Sequence, residues 1–372
     1  MGSSKNHRME IGVNHTRCSI PIRAFLLGIL FILSAGTVYP SAQTERIIAL
    51  PELEHPRQIV VDKERVYFVD RRDIVVYYLS DGLFLKRIGK LGQGPGEFAS
   101  GPSRLAVLGD RLIVKDMHSS EWFNLEGIRI GGHNDPDPIA FYQFLPVGRN
   151  FVGFAWLRND DGSLAPPTGR IYDSGLKLKR NFFGELPAFP AAPPPPGIAE
   201  PPGRRDRLLI RDYGDYTVYE DRIYVADSRR GFSISVFDEN GTLLREITHA
   251  LDKVKVPKNF VNEVVKGWKA SEDWETEYRH LNPVVPEYFP AIIDFKIDRG
   301  RIYALTAAQK NGLYEIIVID LKGKILGREF RFPLQPNFEM PFYNGSKYDI
   351  EGDKLVWYEY NDEKGTYELH IR

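Results

Sequence analysis

Apolar and polar residues alternate in short runs along most of this chain, a period that predicts strands with one or both faces buried rather than helices. One unit recurs six times: RVYFVD (65–70), RLIVKD (111–116), FVGFAW (151–156), RIYVAD (222–227), RIYALT (301–306) and KLVWYE (354–359). Each copy follows an alternating segment and a tight turn rich in Asp, Gly and Asn, the residues that tolerate hairpin geometry. Five copies are followed by a second hairpin, with turn glycines at Gly82, Gly127, Gly175, Gly241 and Gly323. The unit is therefore four antiparallel strands, A to D.

The two ends of the pattern are incomplete in complementary ways. TYELHIR (366–372) stops after strand C, whereas ERIIALPEL (45–53) is a strand with no partners of its own. Pairing them supplies the missing fourth strand and removes exposed strand edges. The expected fold is all-β: a six-bladed β-propeller of four-stranded antiparallel blades, closed by the N-terminal strand in the last blade.

Strand direction alternates within a blade, so A to B and C to D turns share one face, and B to C loops and D to A crossovers share the other. The long insertions, about 157–168, 185–206 and 249–289, all fall on the crossover face. The proline-rich one should be extended. The third carries Phe260, Val264 and Trp268 at helical spacing, which predicts a helical insertion between blades 4 and 5, packed on the rim.

Composition adds compartment. Lys5, Arg8, Arg17 and Arg23 precede the apolar run AFLLGILFILSA, and Ala42 follows as a small residue at a cleavage point. This is the layout of a signal peptide over residues 1–42, with the propeller over 43–372. The run is short of the roughly twenty residues needed to span a bilayer core, so a retained anchor is the lesser reading. The expectation is export to the periplasm or extracellular space, without membrane insertion after cleavage. Cys18 is the only cysteine and precedes the apolar run, leaving a mature chain with no disulfide, thiolate metal site or cysteine nucleophile. Cleavage takes four basic side chains and one acid from totals of 49 and 50, so the mature chain is formally −4, with no general attraction to nucleic acid.

GKLGQGPGEFASGPSRLAVLGDRLIVKD (89–116) and RIYVADSRRGFSISVFDENGTLLREI (222–247) resemble NHL-type repeats, in which a glycine-rich turn, a Phe and a Pro lead into strands ending in Val-x-Asp. The chain as a whole looks like a bacterial secreted six-bladed propeller of the NHL-repeat/TolB-like family. That resemblance implies protein binding, glycan binding or scaffolding, with occasional lactonase or lyase chemistry. Gly92, Gly94 and Gly96 do not make a phosphate loop, because Pro95, Pro102 and a strand follow where a helix N-terminus would be needed. Phe98 is expected to plug the gap between blades 1 and 2.

Propeller ligands usually sit where the A strands begin. The candidates there are His55, Arg57, Arg104, Tyr142, Asp215, Asp294 and Asn344, with Arg71, Arg72, Arg229 and Arg230 on the adjoining rim. Guanidinium groups suit carboxylate or phosphate ligands, although a solvated loop paired with its flanking aspartates is the favoured account. Asp70, Asp116 and Asp227 are expected to cap turns. No nucleophile elbow, helical zinc motif or Walker loop is present. The leading reading is a non-catalytic propeller that binds a protein or glycan partner on its elaborated face, with no cofactor. The alternative is a metal-dependent hydrolase, lactonase or lyase at the channel mouth, with a channel calcium ion held by Asp215, Asp294 and Asn344.

Overall fold

The computed structural model describes residues 45–372 except 118, 137–139, 157–165, 188–204, 272–273 and 277. The signal segment, most of the 157–168 insertion and the proline-rich run lie outside the described residues. Six four-stranded antiparallel sheets follow one another along the chain. The first comprises β2 (Gln58–Asp62), β3 (Arg65–Val69), β4 (Ile74–Tyr78) and β5 (Phe84–Ile88), and the second β6 (Arg104–Leu108), β7 (Arg111–Lys115), β8 (Ser119–Asn124) and β9 (Arg129–Asn134). The third is β10 (Ala140–Val147), β11 (Asn150–Trp156), β12 (Thr168–Tyr172) and β13 (Leu178–Glu185). After β14 (Arg205–Leu208) comes the fourth: β15 (Gly214–Tyr219), β16 (Arg222–Asp227), β17 (Phe232–Phe237) and β18 (Leu243–His249). After β19 (Leu281–Val284) comes the fifth: β20 (Asp294–Asp298), β21 (Arg301–Lys310), β22 (Leu313–Asp320) and β23 (Ile325–Phe332). The sixth is β24 (Tyr348–Glu351), β25 (Lys354–Asn361), β26 (Thr366–Ile371) and β1 (Arg46–Leu50), which pairs antiparallel with β26 from Arg46 opposite Ile371 to Leu50 opposite Tyr367.

Packing between sheets makes the ring. Each neighbouring pair shares buried apolar residues: Val69, Val76 and Leu105 for blades 1 and 2, Ile234 and Ile302 for blades 4 and 5, and Val75 and Leu369 for blades 1 and 6. The C to D turn glycines add to this. Gly82 has φ +71°, and a Cβ there would lie 2.2 Å from Ile48 of the preceding blade; Gly241, at φ +74°, would meet Phe182 at 2.5 Å. Glycine is required at these turns both for backbone sign and for blade-to-blade approach. In the third blade the positive φ falls on Leu176 rather than Gly175.

The glycine-rich crossover behaves as its sequence predicts. Phe98 is fully buried between blades 1 and 2, edge-on to Phe123, with their centroids 6.2 Å apart. Asp116, at the end of β7, accepts hydrogen bonds from the amides of Ala99 (2.5 Å), Ser100 (3.2 Å) and Met117 (2.7 Å). Asp70 does the same in blade 1, from Glu54 (3.0 Å), His55 (2.6 Å) and Arg71 (2.8 Å). These carboxylates tie the incoming crossover to the B to C loop, which is more than capping one turn.

Among the described residues of the insertion between blades 4 and 5, the α-helix is α1 (Phe260–Ala270). Beyond Ser271 the chain turns and then forms β19, which pairs in parallel with β14, so the strands that end the second and third insertions are stitched together. The helix ends at Ala270, and Leu281–Val284 is extended where it pairs with β14. The apolar stripe packs down as expected: Phe260 lies against Phe289 and Phe338, and Trp268 stacks on Tyr278 at 5.3 Å. Among the described residues no helix is long and apolar enough to cross a membrane.

Candidate functional site: the central channel

Every A to B hairpin closes on a two-residue turn, pairing Asp62 with Arg65, Leu108 with Arg111, Val147 with Asn150, Tyr219 with Arg222, Asp298 with Arg301 and Glu351 with Lys354. This common register aligns the A strands around the axis, and alternate residues of each strand face the same way. Together they line a cavity of about 680 Å³ in layers. The deep layer carries Gln58, Arg104, Gln143, Asp215 and Asp294; the middle one Val60, Ala106, Thr217, Lys296 and Asp349; the outer one Asp62, Leu108, Tyr219, Asp298 and Glu351. Blade 3 departs from the others: Pro146 rather than Leu145 meets the cavity, and β10 carries a bulge between Phe141 and Phe144.

Accessibility rises along the axis. Gln58 and Asp294 are buried at the deep end, where Gly345 of the single-turn helix Pro341–Ser346 also meets the cavity, whereas Asp110, Glu220 and Asp221 at the A to B turns are exposed. The lining is therefore most accessible at the A to B turns, on the plain face.

The deep charges are few and interlocked. Asp294 is 2 % exposed. Its Oδ1 accepts hydrogen bonds from the Tyr213 hydroxyl (2.9 Å) and the Phe295 amide (2.8 Å). The Tyr348 hydroxyl lies near enough to favour the ionised form, but no hydrogen bond to Oδ2 is completed. Burial raises the Asp294 carboxyl, opposed mainly by Lys296. Burial likewise pushes Asp215 up to about 6, against the pull of Arg104, and raises Asp349 against Lys296. Lys296 donates to the Gly345 carbonyl at 2.7 Å and lies 5.2 Å from the Tyr348 ring centre.

Among the sequence candidates, Arg104, Asp215 and Asp294 line the channel together. His55 and Arg57 are exposed in the first crossover, outside it. Asn344 is spent on structure: its amide group donates to the Ile293 carbonyl (3.2 Å) and accepts from the Asn337 amide (2.6 Å). Arg229 chelates Asp227, and Arg230 pairs with Glu246, so both rim arginines of blade 4 are satisfied within the fold. Arg71 and Arg72 are exposed, and among the described residues neither guanidinium has a partner. The Tyr142 side chain lies outside the described residues. The calcium set does not assemble, because Asn344 is engaged elsewhere and among the described residues no three His, Cys, Asp or Glu side chains converge as cation ligands.

No protein-family model and no curated protein matches the sequence. In structure the chain is similar to a putative exported protein of Bacteroides fragilis NCTC 9343 (TM-score 0.49, 11% identity, covering 88% of this chain and 94% of that one). It is also similar to a gluconolactonase of Xanthomonas campestris (0.43, 12%, 88% and 90%) and to a luciferin-regenerating enzyme (0.41, 11%, 88% and 95%). The fold assignment rests on the strand topology itself, and likeness at this level assigns no activity.

Sequence reasoning missed Lys296, Asp349, Asp62, Asp298 and Glu351. The signal was available, since each lies in or two residues before the last A-strand position, counted back from the turn. Tyr213 and Tyr348 gave no such signal; only folding brings them to Asp294.

Proposed function

We propose that this is an exported, non-catalytic propeller that binds a protein or glycan partner carrying anionic groups on its crossover face. Export rests on the N-terminal layout of basic residues, apolar run and small residues. The observation that carries the binding reading is the contrast among rim cations: Arg229 and Arg230 are neutralised by Asp227 and Glu246, whereas Arg71 and Arg72 project unpaired. Exposed Leu91 and Met117 flank the same crossover, offering apolar contact beside the charge. Such a patch favours a partner with carboxylate, sulfate or phosphate groups.

The metal-dependent hydrolase reading finds less support, because Asn344 is engaged in internal hydrogen bonds and among the described residues no three His, Cys, Asp or Glu side chains group as cation ligands. The test is a glycan array with the full chain and with an Arg71→Glu, Arg72→Glu double variant. The expected result is selective capture of acidic glycans that the charge reversal abolishes. Capture that survives reversal, or glycan turnover that depends on added calcium, overturns this reading.

A further inference from the structure

The channel lining is most accessible on the opposite face, and its chemistry is of the opposite sign. Nine acids and three bases line it. At depth, Asp215, Asp294 and Asp349 face only two cations, Arg104 and Lys296. Neutrality at depth takes either one retained proton or one further positive charge. Independently, Asp294 Oδ2 is a buried carboxylate oxygen on the cavity wall with no hydrogen-bond partner, a costly arrangement unless something occupies the space before it.

We propose that the channel binds a linear organic polyammonium ion, which enters between the A to B turns and lodges its leading ammonium against Asp294 and Asp215. The protein's own Lys296 shows how an ammonium is held there, by a main-chain carbonyl at 2.7 Å and the face of the Tyr348 ring. The charge layers set the ligand's length. Asp294 and Asp298 lie four residues apart on β20, which places the deep and outer carboxylates about 13 Å apart along an extended strand. A flexible triamine spans a comparable length, with its far terminal ammonium at Asp298, Asp62 and Glu351. Asp298 also accepts the Gly352 amide, and Glu351 pairs with Arg299, so the outer layer is ordered before a ligand arrives. The carboxylates do not converge as metal ligands, so a chain of separated ammonium groups fits them better than one dense ion.

Binding is coupled to protons. Asp215 is faced by Arg104 from blade 2, Asp294 and Lys296 from blade 5, and its own neighbouring amide; Asp294 is faced by Tyr213, Tyr348 and Lys296; Asp349 is faced by Lys296 and Asp298. An entering ammonium favours the ionised form of each and displaces the protons they retain.

The experiment is calorimetric titration of the full chain with spermidine near pH 6, in two buffers of different ionisation enthalpy, with 1,8-octanediol as the neutral control. The expected result is saturable one-to-one binding with proton release, and no binding of the diol. Asp294→Asn, which keeps an oxygen for Tyr213, should loosen spermidine by about tenfold or more. Asp215→Asn serves as the second variant if the first does not fold, with the same expectation; Asp349, whose two oxygens accept the Val61 and Ile350 amides, is left in place. Arg71→Glu, Arg72→Glu should leave the titration unchanged, which separates this site from the crossover face. Equal uptake of diol and triamine, stoichiometry above one that disappears at physiological salt, or unaltered affinity in the folded Asp294 or Asp215 variant overturns the proposal.

Discussion

Asp70 and Asp294 are equally buried, each 2 % exposed, and the fold treats them in opposite ways. Asp70 accepts three main-chain amides that join the first crossover to the loop after β3. Asp294 accepts one amide and one phenol, and leaves an oxygen without a partner on the wall of the channel. A carboxylate whose lone pairs are occupied by amides belongs to the scaffold; one left partly bare on a cavity wall is available to a ligand. The same contrast separates the two faces. On the crossover face Arg229 and Arg230 are closed into internal pairs and Arg71 and Arg72 are exposed, whereas the channel holds an excess of acid.

Several substitutions can break or sharpen that contrast. The largest expected effect is at the crossover plug: Phe98→Ala should lower the urea-unfolding free energy by about 3–5 kcal/mol, since the ring fills the seam between two blades. Asp70→Ala removes the acceptor shared by three main-chain amides and should cost about 2–4 kcal/mol in the same measurement. Asp294→Asn should be close to neutral or stabilising without ligand, because burial disfavours its charge. A loss as large as that of Asp70→Ala would put Asp294 in the scaffold and erase the distinction.

A smaller effect is the pH dependence of stability. The Asp215 carboxyl is raised to about 6 in the folded chain, above its unfolded value, so the folded state holds the proton more tightly. Its contribution therefore favours folding at low pH and is lost as pH rises from the unfolded pKa, about 4, toward 6. Asp215→Asn should flatten the difference between unfolding curves at pH 4.5 and pH 6.5 relative to the parent chain; an unchanged slope would show that Asp215 is not the group responsible. The smallest effect on stability belongs to Arg71→Glu, Arg72→Glu, whose unfolding transition should match that of the parent chain, while binding of acidic glycans is lost.

Some of the site was legible before folding. Arg104, Asp215 and Asp294 were placed by their position at strand starts, and Phe98 by its glycine-rich setting. Lys296 and Asp349 follow from the same two-residue turn register, but only once each turn is used as a fixed origin. The rim cations were ambiguous because a sequence shows that Arg229 is near Asp227 without showing that Arg72 has nothing to reach. Asn344 was misplaced because the single-turn helix around it binds it to Asn337 and Ile293, contacts that no local pattern announces.

The chain by itself determined the strands, their hairpin turns, the six-fold repetition and the pairing of its two incomplete ends, because alternation of apolar residues and turn chemistry are local properties. Tertiary structure decided which carboxylates lost their water and which found amides, since burial and partner are properties of the whole ring. It also decided which end of the channel lining is the more accessible. The insertions mark the elaborated face in the sequence, but accessibility along the axis depends on how six strands from distant parts of the chain converge.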